Sequence, residues 1–139
     1  MTQKVVQYVR EVFDIEPDFP FDDSDTAVFR NRKNKKWFGI IIPNLPKSRL
    51  GLSAAERADI LNLKCDPLLH YAVVDHQRIF PAYHMNKTHW ITVLLDGSVS
   101  LEEMAPLIHD SYDLIEGRRK SGKVSKKDQR NDAGLGDLL

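Results

Sequence analysis

The sequence predicts a mixed α+β domain with an antiparallel sheet covered by helices on one face, and three observations carry that prediction. An apolar stripe of helical period runs through residues 5–13, two extended apolar runs flank a basic turn at residues 31–35, and a helix-start signature begins at Ser100. The chain has 139 residues, enough for one domain with a sizeable core. Its 42% hydrophobic and 29% charged residues match a globular protein and exclude a fibrous or wholly disordered one.

Val5, Tyr8, Val9, Val12 and Phe13 recur at the spacing of one helix face. Pro17 and Pro20 then force an irregular connector, in which Phe19 and Phe21 are expected to plug into the core between acidic residues. Residues 26–30 and 36–42 read as the two strands of a β-hairpin, and the second, apolar on both pleat faces, reads as a central strand with one face under helices. Pro43, Pro46 and Gly51 break regular structure, so residues 43–58 are expected to be mostly loop, with Ser53 to Glu56 resembling a capping box on a short turn.

Residues 59–65 form a candidate third strand. Asp66-Pro67 then supplies an N-cap and a proline at the first helical position, predicting a short helix to about Val74. A polar and aromatic loop from Pro81 to Thr88 precedes a strand in which His89, Ile91, Val93 and Leu95 alternate with Trp90, Thr92 and Leu94. Asp96-Gly97 ends that strand. Ser100-Leu101-Glu102-Glu103 is a capping box for a last helix whose Leu101, Met104, Ala105, Ile108, Tyr112 and Ile115 share a face, and Pro106 is expected to bend it unless the helix starts later. Beyond Gly117 apolar periodicity stops, so residues 1–117 are expected to be one domain and residues 118–139 a basic, disordered tail.

No apolar run approaches the ~18–20 residues that a membrane-spanning helix needs, so no membrane role is expected. The first residues lack an apolar signal core and the single Cys65 has no disulfide partner, which makes a reducing, cytoplasmic setting the expectation. Formal charges cancel at twenty of each sign but are unevenly placed. Residues 1–25 hold two basic and seven acidic side chains, residues 30–36 hold five basic and no acidic ones, and residues 118–130 hold seven basic and one acidic. A neutral chain therefore presents two local basic surfaces.

The strings Asn34-Lys35-Lys36-Trp37-Phe38, Pro81 to Trp90 and Ser111 to Ile115, in this order of elements, resemble the MmcQ/YjbR family of small bacterial proteins over residues 3–116. The most specific match is Tyr83-His84-Met85-Asn86-Lys87 with His89-Trp90, and Trp37, Phe38, Ser111 and Tyr112 complete the motif. The resemblance implies a two-layer α-β(3)-α-β(2)-α fold, similar to that of secretion chaperones, and a DNA-binding role with a double-wing arrangement. The tail beyond Gly117 has no counterpart in it.

Arg30, Arg32, Lys33, Lys35 and Lys36 crowd one turn, where several side chains can reach a phosphate backbone at once. The alternative is a solvated turn whose charges blunt a sheet edge. In the Tyr83 to Trp90 loop, Asn86, Lys87 and His89 are candidate ligand or nucleic-acid contacts, against a reading in which Tyr83 and Trp90 cap the core and Asn86 satisfies the loop backbone. His70, His76, His84 and His89 lie within twenty residues and could converge on a metal with Asp66 or Asp75, against a reading as packed or capping groups; His84 and His89 match no zinc-site pattern, and no nucleophile, base and orienter set or phosphate-cradling glycine loop is evident. Cys65 reads as a buried small hydrophobe. The chain is accordingly expected to be a monomeric, non-catalytic protein without cofactor or metal, binding the DNA phosphate backbone with little sequence preference. The alternatives are a chaperone-like protein-interaction module and, third, an enzyme using the Tyr83 to Trp90 loop.

Overall fold

The computed structural model describes residues 1–53 and 55–117, so the expected disordered tail lies outside the described residues. Helix α1 (Thr2–Phe13) leads into β1 (Ala27–Arg30) and β2 (Trp37–Pro46), and a 3-10 turn at Lys47–Leu50 leads to β3 (Arg57–Lys64). Then come α2 (Pro67–Val73), β4 (Ile79–Pro81), β5 (Trp90–Leu94) and α3 (Leu101–Glu116). This is the α-β(3)-α-β(2)-α order. The strands form one sheet in the order β1-β2-β3-β5-β4, with every neighbouring pair antiparallel.

On one face of the sheet, Leu61, Leu63, Ile91 and Val93 meet Val5 and Val9 of α1 and Met104, Ile108 and Ile115 of α3 in the largest core cluster. A 12-residue helix is marginal by itself, so α1 depends on this packing, with roughly 1.5–3 kcal/mol for each fully buried aliphatic side chain. The other face carries Val28, Ile40, Ile60, Phe80, Trp90 and Leu94, and loop residues including Met85, Ala82 and Leu52 pack over it.

The local signals at both helix starts hold. The Asp66 side chain accepts the Leu69 N–H at 2.9 Å with Pro67 in the first turn, and Ser100 and Glu103 form the reciprocal capping box. Pro106 lies inside the uninterrupted helix Leu101–Glu116 on its exposed side, where the carbonyl deprived of a donor can bond to water.

Three local expectations are corrected. Phe19 is 61% exposed rather than plugged into the core. Asp18 pairs through its backbone with Val28 along the outer edge of β1, and on that extended segment Ile15 and Phe21 take the inward positions. The break expected at Pro43 is absent, because β2 continues to Pro46 through a one-residue bulge between Ile42 and Leu45. Asn44 takes the positive φ of 56° there and donates its N–H to Asp59 Oδ1, and neither proline is required as a donor. Ser53 to Glu56 caps no helix among the described residues; the Glu56 carbonyl accepts from Lys47 N at the foot of β3.

A second bulge shapes the helix-covered face. Phe29 pairs with Gly39 but Arg30 pairs with Trp37, which leaves Phe38 as an extra residue on β2. The bulge turns the Phe38 ring toward the helices, where it lies 5.0 Å from Tyr112 and 5.8 Å from Phe13. Gly39 leaves room for the Phe29 ring of the neighbouring strand, since a Cβ there would stand 3.0 Å from Phe29 Cδ2. Ser111, fully buried on α3, donates to the Phe38 carbonyl at 2.6 Å and accepts the Lys64 N–H at 2.9 Å. One hydroxyl thus ties α3 to both β2 and β3.

Replacing Ser111 with alanine strands a buried N–H and a buried carbonyl, and is expected to cost about 2–3 kcal/mol in urea unfolding. Thr88→Ala, an exposed control, should stay within about 0.5 kcal/mol.

Acid sensitivity has a specific source in Asp96. Partial burial works against its carboxylate, but the Ser98 hydroxyl and amide and the Lys47 ammonium outweigh it and hold the group at about 2. The stability this contributes is full above the ordinary value of 3.8 and is lost as pH falls through about 2. Thermal melting between pH 5 and 2 should therefore show a shallower loss of stability for Asp96→Asn than for the parent chain.

Candidate nucleic-acid interface

β2 and β5 both run antiparallel to β3, so both begin at the end of the sheet where β3 finishes. The β1–β2 turn, the loop 82–89 and the exit of β3 therefore share one end, with β2 and β5 starting about 10 Å apart across β3. Trp37, at the base of the turn, packs in the same cluster as Met85 and Trp90. The two sets of basic and polar candidates are brought to one end of the molecule.

The turn is braced rather than loose. Asn31 is 2% exposed; its Oδ1 accepts the N–H groups of Lys33 and Asn34 at 2.8 and 3.1 Å, and its Nδ2 donates to Glu116 Oε2 at 3.1 Å. Asn34 donates to the Ile115 carbonyl at 3.0 Å and accepts the Lys36 N–H at 2.9 Å, while Lys35 takes the positive φ of 64° that closes the turn. Two asparagines thereby fasten the turn to the C-terminal end of α3. Sequence reading missed both, although asparagines three apart in a polar turn are the signal of side chains bonding to their own backbone.

The five basic side chains of the turn divide into two groups. Arg30 donates to Asp18 at 2.8 Å and lies 5.5 Å from the Trp37 ring centre, and Arg32 donates to Asp14 at 2.6 Å. Lys33, Lys35 and Lys36 make no side-chain hydrogen bond or ion pair among the described residues. An exposed ion pair is worth only about 0.2–1 kcal/mol, so the two arginines can exchange a carboxylate for a phosphate at little cost.

In the second loop, Asn86 Oδ1 accepts the N–H groups of Thr88 and His89, the role expected of a backbone-satisfying residue. Lys87 Nζ donates to the Ala82 carbonyl at 2.6 Å, and the His89 carbonyl accepts the Cys65 N–H. Trp90 and Met85 are buried, Tyr83 is half-buried, and His84 is exposed at the positive φ of 60°. Of the family-motif residues, Trp37, Phe38, Met85, Trp90 and Tyr112 serve packing, and Ser111 bridges α3 to β2 and β3. Lys64, which sequence reading did not single out, is 6% exposed with its ammonium 5.9 Å from the Trp90 ring centre. No group of three or more His, Cys, Asp or Glu among the described residues is disposed to hold a metal ion. Cys65 is buried beside Leu63 and Ile91, and that burial, with Asp66 adding to it, pushes its thiol up to about 12.

These features define a five-stranded α+β domain with its helices on one face and a braced basic turn at one end. The YjbR family model matches residues 11–114, and the chain belongs to that family. It is 36% identical to the uncharacterised protein YyaQ of Bacillus subtilis over 113 residues, 81% of this chain and 95% of that protein. A crystal structure of a Pseudomonas syringae protein superposes with a TM-score of 0.77 at 38% identity, over 82% of this chain and 97% of that one. The Deinococcus radiodurans protein DR2400, with a DUF419 domain, superposes at 0.60 with 28% identity, over 92% and 87%.

Asn31→Ala removes three bonds at once, and the expected cost is about 1–2 kcal/mol in denaturant unfolding. Amide hydrogen exchange at Lys33 and Asn34 should accelerate with it while exchange within β3 stays slow.

Proposed function

We propose that this chain is a non-catalytic nucleic-acid-binding protein that grips the phosphate backbone with its β1–β2 turn. The supporting observation is the division of charge on that turn: among the described residues, the side chains of Lys33, Lys35 and Lys36 make no hydrogen bond or ion pair, on a backbone already fixed by Asn31 and Asn34. Residues 1–117 carry 13 basic and 17 acidic side chains, so net charge offers no general attraction to a polyanion. Binding must then come from this local cluster, with the basic tail adding non-specific attraction. The order inherent in the turn lowers the entropy lost on binding, since its backbone need not be ordered at that moment.

A second reading, a protein-interaction module, draws on α2. Leu68 and Tyr71 stand one helical turn apart and are 83% and 88% exposed.

Salt titration separates the two. With all three lysines replaced by alanine, the slope of log affinity against log salt should flatten by about 0.9 for each lost phosphate contact on duplex DNA and about 0.7 on single strands, with similar losses on unrelated sequences. Fold stability should change by no more than about 0.5 kcal/mol per site. An unchanged slope removes the turn from the interface, and no binding by the parent chain at low salt moves the protein to the interaction-module reading.

A further inference from the structure

The helix-free face of the sheet carries a cavity of about 370 Å³ beside the loop 82–89, within the range of roughly 300–1,000 Å³ typical of small-molecule sites. Its floor is apolar, formed by Ile42 and Leu45 of β2. Three rings wall it: Phe21 on one side, and Tyr83 and His84 on the other, the last two with centroids 4.0 Å apart. The Tyr83 wall is fixed at three points. Its N–H donates to Thr92 Oγ1 at 2.8 Å, its carbonyl accepts from Asn62 Nδ2 at 3.0 Å, and its hydroxyl accepts from Arg49 at 3.0 Å. His84 holds its place at a left-handed φ, a conformation a non-glycine residue adopts only where its surroundings impose it. The remaining rim is polar, with the Asp23 carboxylate beside the paired hydroxyls of Ser24 and Thr26, which lie 2.7 Å apart.

Aromatic walls over an apolar floor take a flat ring, and a rim of hydroxyls and a carboxylate suits the amino and imino groups on the edge of a heteroaromatic one. Charge is polarised across the mouth. Asp23 on the connector side repels phosphate, whereas Arg49, bonded to the Tyr83 hydroxyl, attracts it. One ring contact links the cavity to the basic turn: Phe21 of the cavity wall meets the Trp37 ring edge-on at 6.3 Å, and Trp37 directly follows Lys36. From this juxtaposition we infer that the preferred ligand is single-stranded nucleic acid, held at its phosphates by the turn lysines and by one unstacked base in the cavity between Phe21 and Tyr83. The inference rests on the phosphate-binding reading and adds a substrate class to it: a base inside a duplex is stacked on its neighbours and cannot enter without flipping.

The test compares a short single-stranded DNA with a strand of the same length that lacks its bases, which holds the number of phosphates constant. The parent chain should bind the base-bearing strand roughly five- to a hundredfold tighter, the span of one base–aromatic stack. Tyr83→Ala keeps the backbone bonds to Asn62 and Thr92, and should abolish that preference while leaving the salt slope intact. Equal affinity for the two strands with a steep salt slope overturns the cavity inference alone. Failure to bind either strand at low salt overturns the phosphate reading along with it, and a base preference that survives Tyr83→Ala places the base elsewhere and also overturns the inference.

Discussion

β3 occupies the middle of the sheet and is buried on both faces, so the molecule must cover two surfaces with only two long helices, both of which lie on the same side. The second face is closed by loops, and loops carry backbone polar groups that need partners. Asn62 and Thr92, paired across β3 and β5 and both fully buried, supply them: the two side chains bond to each other and clamp the N–H and carbonyl of Tyr83. With an unmet buried polar group costing about 1–3 kcal/mol, this small polar cluster fixes the loop 82–89 to the sheet far more tightly than surface contacts would. Met85 and Ala82 can then serve as core residues although they lie in a loop.

The same logic makes the basic end of the molecule rigid. Ser111 locks α3 to β2 and β3, and the C-terminal turn of α3 provides the acceptors that hold Asn31 and Asn34. A turn carrying five like charges would otherwise fray by self-repulsion; here two of the charges are balanced by Asp14 and Asp18, and the backbone is held by amide side chains. Family membership fixes the architecture, while the functional proposal stands on these site details and not on the fold, which hosts no single chemistry by necessity.

Local grammar made much of the fold legible. The Asp66-Pro67 start of α2 and the Ser100 to Glu103 box of α3 depend on side chains within three residues of each other, and both appear where the sequence places them. The stretch around Pro43 was not legible, because the bulge that carries β2 past it requires Asp59, fifteen residues onward, to accept the Asn44 N–H. Phe19 misled for a similar reason: whether an aromatic residue between prolines turns inward depends on the edge pairing of Asp18 with Val28. At the candidate site the clustering of basic residues was plain, yet the pairing that sets the two arginines apart from the lysines among the described residues depends on Asp14 and Asp18, which come from the connector. Ser111 stood out only through resemblance to the family, since one serine on an amphipathic helix gives no local sign that it bridges two strands.

Backbone amide shift mapping during titration with a short oligonucleotide at low salt locates the contact without altering the chain. If the β1–β2 turn grips the phosphates, the largest changes fall on residues 31–36 and on the adjoining end of α3, with α2 quiet. Changes centred on Leu68 and Tyr71, or none at residues 31–36 under saturating ligand, would contradict it.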